Sequence, residues 1–124
     1  MALEARSYAN ALVVAVAGRL DHDNCDAFRE DLAGHVEKCA GGGSTVVLDL
    51  SGLKYVSSAG LRCFMLASRQ AKALNGRILM AALQPMVEEI FEISRFNLVF
   101  PVYRTVRDAL AAVSAEAVAA YDRN

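Results

Sequence analysis

The chain has 124 residues, 55% hydrophobic and 22% charged, with a formal net charge of −1. That length and apolar content support a single folded domain with its own core and exclude a disordered chain. The near-neutral balance, with no long basic run, argues against nucleic-acid binding through phosphate contacts.

No apolar run approaches the ~20 residues that a membrane helix needs, so membrane insertion is not expected. The opening segment, MALEARSYAN, lacks the basic region and apolar core of a signal peptide, and a cytoplasmic protein is expected. Three cysteines, Cys25, Cys39 and Cys63, are an odd, widely spaced set without a metal-binding pattern. They read as reduced thiols packed on helix faces. His22 and His35 have no ligand partners at useful spacing, so neither a metal nor a cofactor is implied.

Taken in order, residues 3–9 form a weak strand candidate, with Asn10 as a turn residue. Residues 11–17, ALVVAVA, are apolar on both faces, as in a central strand covered by helices. Gly18-Arg19-Leu20-Asp21 leaves the sheet. Asp23 or Asn24 can cap a helix whose face is marked by Phe28, Leu32, Val36 and Cys39. Gly41 to Gly43 end it. Val46 to Leu50 read as a buried strand, with Asp49 near its end and a loop after it. Ser57 and Ser58 stand at the mouth of a helix over 58–74, which Asn75-Gly76 stops. Residues 77–82 make a further two-sided strand. Gln84-Pro85 opens a helix that turns Val87, Ile90 and Phe91 inward and Glu88, Glu89 and Glu92 outward. Residues 98–102 form an edge strand or strand end, because Pro101 cannot donate to a ladder. A last helix starts at Thr105 and carries Val106, Ala109, Leu110, Val113 and Ala117.

Strands that alternate with helices imply an α/β fold: a mixed, mostly parallel sheet covered by about four helices, its first strand antiparallel to the second. Residues 1–124 form one domain. Leu12, Val14, Val16, Val47, Leu48, Leu50, Ile78 and Leu79 are the expected core. In such sheets ligands and partners gather outside the carboxyl ends of the strands, which makes the stretch around Ser58 the expected functional edge.

The central stretch, VVLDLSGLKYVSSAGLR, resembles the STAS domain, the module of anti-sigma factor antagonists and of sulfate-transporter tails. Asp49, Ser51, Val56, Ser58, Ala59 and Gly60 match the family pattern in register. Ser57 stands where the family usually has Asp. Gly18-Arg19-Leu20-Asp21 is similar to the family's Gly-x-Leu-Asp turn. The resemblance implies a phosphoswitch. Unphosphorylated, the protein binds an anti-sigma factor serine kinase (ATP and Mg on the kinase) and makes it release its sigma factor. Phosphorylation at Ser58 ends the binding, and a phosphatase resets it. The alternative is a constitutive scaffold subunit of a stress-signalling or lipid-transporter complex that never uses the serine.

Asp21, Asp23, Asp49, Ser51, Ser57, Ala59 and Gly60 are the candidate switch or partner-binding residues around Ser58. Asp21, His22 and Asp23 read equally well as turn and cap residues. Asp49 at a strand end suggests a receiver phosphoacceptor, but the acidic pair and late lysine of that site are missing. It reads better as orienting the 51–58 loop by hydrogen bonds. A serine hydrolase would need a G-x-S-x-G elbow and a histidine after the serine, and none occurs beyond His35. The reading is therefore of an interaction module and not an enzyme.

Overall fold

The structure, a computed structural model, describes residues 3–123. Five strands form one sheet in the order β1-β2-β3-β4-β5: β1 Glu4–Tyr8, β2 Ala11–Leu20, β3 Thr45–Val56, β4 Ile78–Ala81 and β5 Val102–Tyr103. β1 runs antiparallel to β2, and every other pairing is parallel. The helices are α1 Cys25–Val36, α2 Ser58–Ala73, α3 Pro85–Ile93, α4 Val106–Val113 and α5 Ala115–Asp122.

The parallel strands advance across the sheet in one direction. With right-handed crossovers this puts the three connecting helices on one face. The front core shows it: Phe28 and Leu32 of α1, Phe64 and Ala67 of α2, and Val87 and Phe91 of α3 pack on Leu12, Val14, Val16, Val46, Leu48 and Leu50. The alternate strand residues Ala11, Val13, Val47, Leu79 and Ala81 face the other way and are covered by Ala109, Leu110 and Ala117. Two covered faces explain the continuous apolar runs of β2 and β3. All eight residues expected in the core are buried.

Four local expectations need correction. β3 does not end at Leu50; it runs on to Val56, and β2 runs on to Leu20 instead of leaving the sheet at Gly18. Two register shifts fall between them, where β3 takes an extra residue against Ala15/Ala17 and again against Gly18/Arg19. Each bulge offsets the two-residue side-chain period, so the stretch reads as a loop although Leu53 and Val56 are buried. Second, the helix expected from Thr105 is two. Ser114 adopts extended backbone (φ −169°, ψ 158°), and its hydroxyl accepts from the Ala117 N–H at 3.0 Å, ending α4 and capping α5. The described residues therefore hold five α-helices where about four were expected.

Third, residues 98–102 are not a strand. Phe96–Leu98 form a 3-10 turn and β5 is Val102–Tyr103 alone, the edge strand directly after Pro101, whose carbonyl accepts from the Met80 N–H at 2.9 Å. Last, α1 stops at Val36, and Cys39 lies on a following 3-10 segment, Glu37–Gly42, kinked at Ala40 and Gly41. The turn after α2 comes out as expected: Asn75 is left-handed (φ 57°), and a Cβ on Gly76 would lie 2.2 Å from the Cys39 sulfur, so only glycine fits there.

Candidate functional site

The carboxyl ends of β2 and β3 meet the start of α2. Ser57 lies between strand and helix and donates its N–H to the Leu20 carbonyl at 2.8 Å. Its hydroxyl accepts from the Gly60 N–H at 3.3 Å, the ordinary N-cap bond. Ser57 is thus the cap and Ser58 the first helical residue, exposed to solvent. Among the described residues, no hydrogen bond holds the Ser58 hydroxyl, and the N–H groups of Ser58 and Ala59 have no partner. Gly60 is buried against Leu20 and Val56. The bond from the Ser57 N–H to the Leu20 carbonyl and this close approach together hold α2 on the last residue of β2.

The turn that follows Leu20 is fixed from within. The Asn24 side chain accepts from the Asp21 N–H at 3.0 Å and donates to the Arg19 carbonyl at 2.7 Å. The Asp21 carboxylate accepts from the Asp23 N–H at 3.0 Å. Asn24 holds the N-cap position of α1 but makes no capping bond, because its amide is committed to the turn. Asp23 is exposed and lies 3.5 Å from the similarly exposed His22. Asp21, Asp23, Ser57, Ser58, Ala59 and Gly60 therefore share one edge of the sheet, joined through Leu20.

Asp49 and Ser51 lie apart from this group, seven or more residues before Ser58 along β3. Asp49 faces the back of the sheet and lines a cavity of about 360 Å³ with Glu4, Arg6, Tyr8, Val13, Ala15, Val106 and Tyr121. Its carboxylate accepts from the Ser51 N–H at 3.0 Å, a donor released at the first bulge. The Gln84 side-chain amide donates to the Ser51 carbonyl. Asp49 and Gln84 thus satisfy both backbone groups of Ser51 where the ladder slips.

Two contacts at the site went unforeseen in the sequence. The Arg19 guanidinium lies over the Tyr55 ring at 4.4 Å, bracing the extended ends of β2 and β3 next to the 21–24 turn. Gln84 reaches back to β3 from the start of α3. Neither had a local signal, since each pair becomes adjacent only through the parallel register. Among the described residues no cluster of His, Cys, Asp or Glu could hold a metal ion, and no helix is long and apolar enough to cross a membrane.

Comparison with known proteins gives a consistent set of relatives. The STAS domain family model matches residues 2–109. BtrV of Bordetella bronchiseptica, named as a candidate anti-sigma factor antagonist, is 40% identical over 101 residues, which is 82% of this chain and 84% of BtrV. The structure of an anti-sigma-factor antagonist (STAS) domain protein from Planctomyces limnophilus matches with TM-score 0.80 and 18% identity, over 92% of this chain and 99% of its own. The Bacillus cell fate determinant SpoIIAA in its phosphorylated form matches with TM-score 0.66 and 19% identity, over 91% of this chain and 100% of its own. At such identities the two structures establish a shared fold, whereas the family model and BtrV carry the relationship in sequence. The chain belongs to the STAS domain family.

Proposed function

We propose that the protein is an anti-sigma factor antagonist that works as a phosphoswitch, with Ser58 as the phosphoacceptor. The observation that carries this reading is the division of labour between the two serines. Ser57 is spent on the cap, and Ser58 presents a free hydroxyl at the first position of α2. A phosphate there adds about −1.5 to −2 charges. The unpartnered Ser58 and Ala59 N–H groups and the helix dipole favour that charge. Arg62, exposed one helical turn on, offers it a cation. The fold is therefore expected to tolerate the modification, and what changes is the surface a partner meets. Asp21 and Asp23 share that surface, so a new dianion adds to existing negative charge and opposes an interface that fits the unmodified edge. SpoIIAA, which shares the fold, has been solved in a phosphorylated form.

In this reading the unmodified protein binds an anti-sigma factor serine kinase, which supplies ATP and Mg. Phosphorylation ends the binding and a phosphatase restores it. No step requires catalysis by this chain.

The test is incubation with the cognate kinase and Mg-ATP, followed by peptide mass spectrometry. One phosphate is expected on Ser58, absent in Ser58→Ala and retained in Ser57→Ala. Calorimetry should show weaker kinase binding by the phosphorylated protein than by the unmodified one. Phosphate that persists in Ser58→Ala and vanishes in Ser57→Ala would move the acceptor to Ser57. Equal affinities of the two forms would replace the switch with a constitutive scaffold.

A further inference from the structure

Two of the three cysteines are in contact beside this edge. Cys25 is the first residue of α1, directly after the Asn24 that fixes the turn. Cys63 lies on α2, five residues past Ser58. The two helices pack through Phe28 and Phe64, whose ring centroids are 5.5 Å apart. That packing puts the Cys63 Sγ 3.4 Å from the Cys25 carbonyl oxygen, to which its thiol donates, while the Cys25 thiol donates to the His22 carbonyl at 3.7 Å. Cys25 is half-buried and Cys63 buried. A disulfide needs the two Cα atoms within about 7 Å, and a Cys63 sulfur in contact with the Cys25 backbone fits that demand once the Cys25 side chain rotates away from His22. Cys39 is packed against Gly76 and faces no thiol among the described residues.

We propose that Cys25 and Cys63 are a redox modification site, closing to an intramolecular disulfide when the protein meets a peroxide. The more accessible Cys25 reacts first. Its thiolate attacks one oxygen of hydrogen peroxide and the O–O bond breaks, giving a Cys25 sulfenic acid and hydroxide, which takes up a proton as water. Cys63, after losing its proton to solvent, attacks the Cys25 sulfur. The S–O bond breaks as the S–S bond forms, and the departing hydroxide becomes a second water. Two thiols and one peroxide thus give one disulfide and two waters. Burial pushes the Cys63 thiol up, as do the Cys25 thiol and, more weakly, Asp26, against a downward pull from Arg29. This suits Cys63 to the second, resolving role. The bond joins the base of the 21–24 turn to the helix that begins at Ser58, without adding charge. Its formation is independent of the Ser58 reading; only its consequence for kinase binding rests on that reading.

The full chain is treated with hydrogen peroxide, capped with iodoacetamide and digested with trypsin without reduction. Free thiols are expected to fall from three to one per chain. A cross-linked peptide should join residues 20–29 to residues 63–69, vanish in Cys25→Ser and Cys63→Ala, persist in Cys39→Ser, and disappear on adding dithiothreitol. Circular dichroism checks that each variant is folded, and the half-buried Cys25→Ser keeps the test sound if Cys63→Ala is not. Oxidation of Cys25 to sulfinic acid with Cys63 still free, or links that form only between chains, would overturn the proposal. A cross-link without Ser58 phosphorylation would leave this site standing and remove the switch, and the converse result would do the reverse.

Discussion

Gly60 and Gly34 are both helical glycines, and their surroundings give opposite forecasts for the same substitution. A Cβ at Gly60 would lie 2.7 Å from Val56 Cγ2, 2.9 Å from Leu20 Cβ and 3.3 Å from the Leu20 carbonyl oxygen. At Gly34, on the exposed side of α1, nothing lies within 4 Å. Alanine is favoured over glycine in a helix by about 1 kcal/mol, so Gly34→Ala should stabilise the protein by about that much. Gly60→Ala has the same helical gain but forces apart the contact of α2 with β2, where overpacking costs about 1–3 kcal/mol, so it should be neutral to destabilising by about 2 kcal/mol. Urea unfolding of the two variants checks the ordering. At this scale the sequence was informative where a residue's role is local: two serines before an amphipathic run suffice to place a cap. It was silent on which serine caps and which stays free, because that depends on the Leu20 carbonyl receiving the Ser57 N–H from across the sheet.

Elements whose pattern is undisturbed were legible. The faces of α1, α2 and α3 and the two-sided character of β2 and β4 follow from hydrophobic spacing. The second half of β3 was not, because its bulges offset the alternation, and the satisfaction of Ser51 by Asp49 and Gln84 is visible only in three dimensions. The break at Ser114 could have been read from the serine itself, a good cap three residues before Ala117, but the alanine-rich, helix-favouring stretch on both sides masked it. The two helices it separates are also tied by a paired contact of Arg107 with Asp122, with Nε–Oδ1 at 3.1 Å and Nη2–Oδ2 at 3.0 Å. The guanidinium hydrogen bonds hold the Asp122 carboxyl below its ordinary value, slightly opposed by desolvation. A carboxyl with a depressed folded-state value stabilises above its unfolded value and loses that contribution as pH falls through the folded one. Arg107→Ala should therefore lower the melting temperature slightly at pH 7. The gap should close below about pH 4 and narrow at high salt, since the pair is exposed. A gap unchanged in acid would mean that Arg107 acts through packing alone.

Across the whole molecule, five phenylalanines form a continuous run through the front core. Phe28, Phe64, Phe91, Phe96 and Phe100 follow one another at centroid separations of 5.5, 6.1, 5.7 and 6.2 Å, linking α1, α2, α3 and the chain before β5. The spacing pattern identified several of these as inward-facing, but it carries no information on which rings meet. Phe64 is fully buried between two of them, and Phe64→Ala should cost about 3–5 kcal/mol, read as a shift in the urea midpoint with an unchanged slope. A loss near 1 kcal/mol would mean that the neighbouring rings collapse into the space. The strand order has a consequence of another kind. Each strand pairs with the strand just before it in sequence, so every new piece of sheet has its template ready as the chain leaves the ribosome. The front half can thus assemble in synthesis order, through contacts that span short stretches of chain. The back face has no such advantage. Val13, Val47 and Leu79 wait for Ala109, Leu110 and Ala117, which are made after the whole sheet. A nascent chain that has reached only Val106 therefore holds a nearly complete sheet with one greasy side open, and that interval is when the domain is most exposed to sticking to its neighbours.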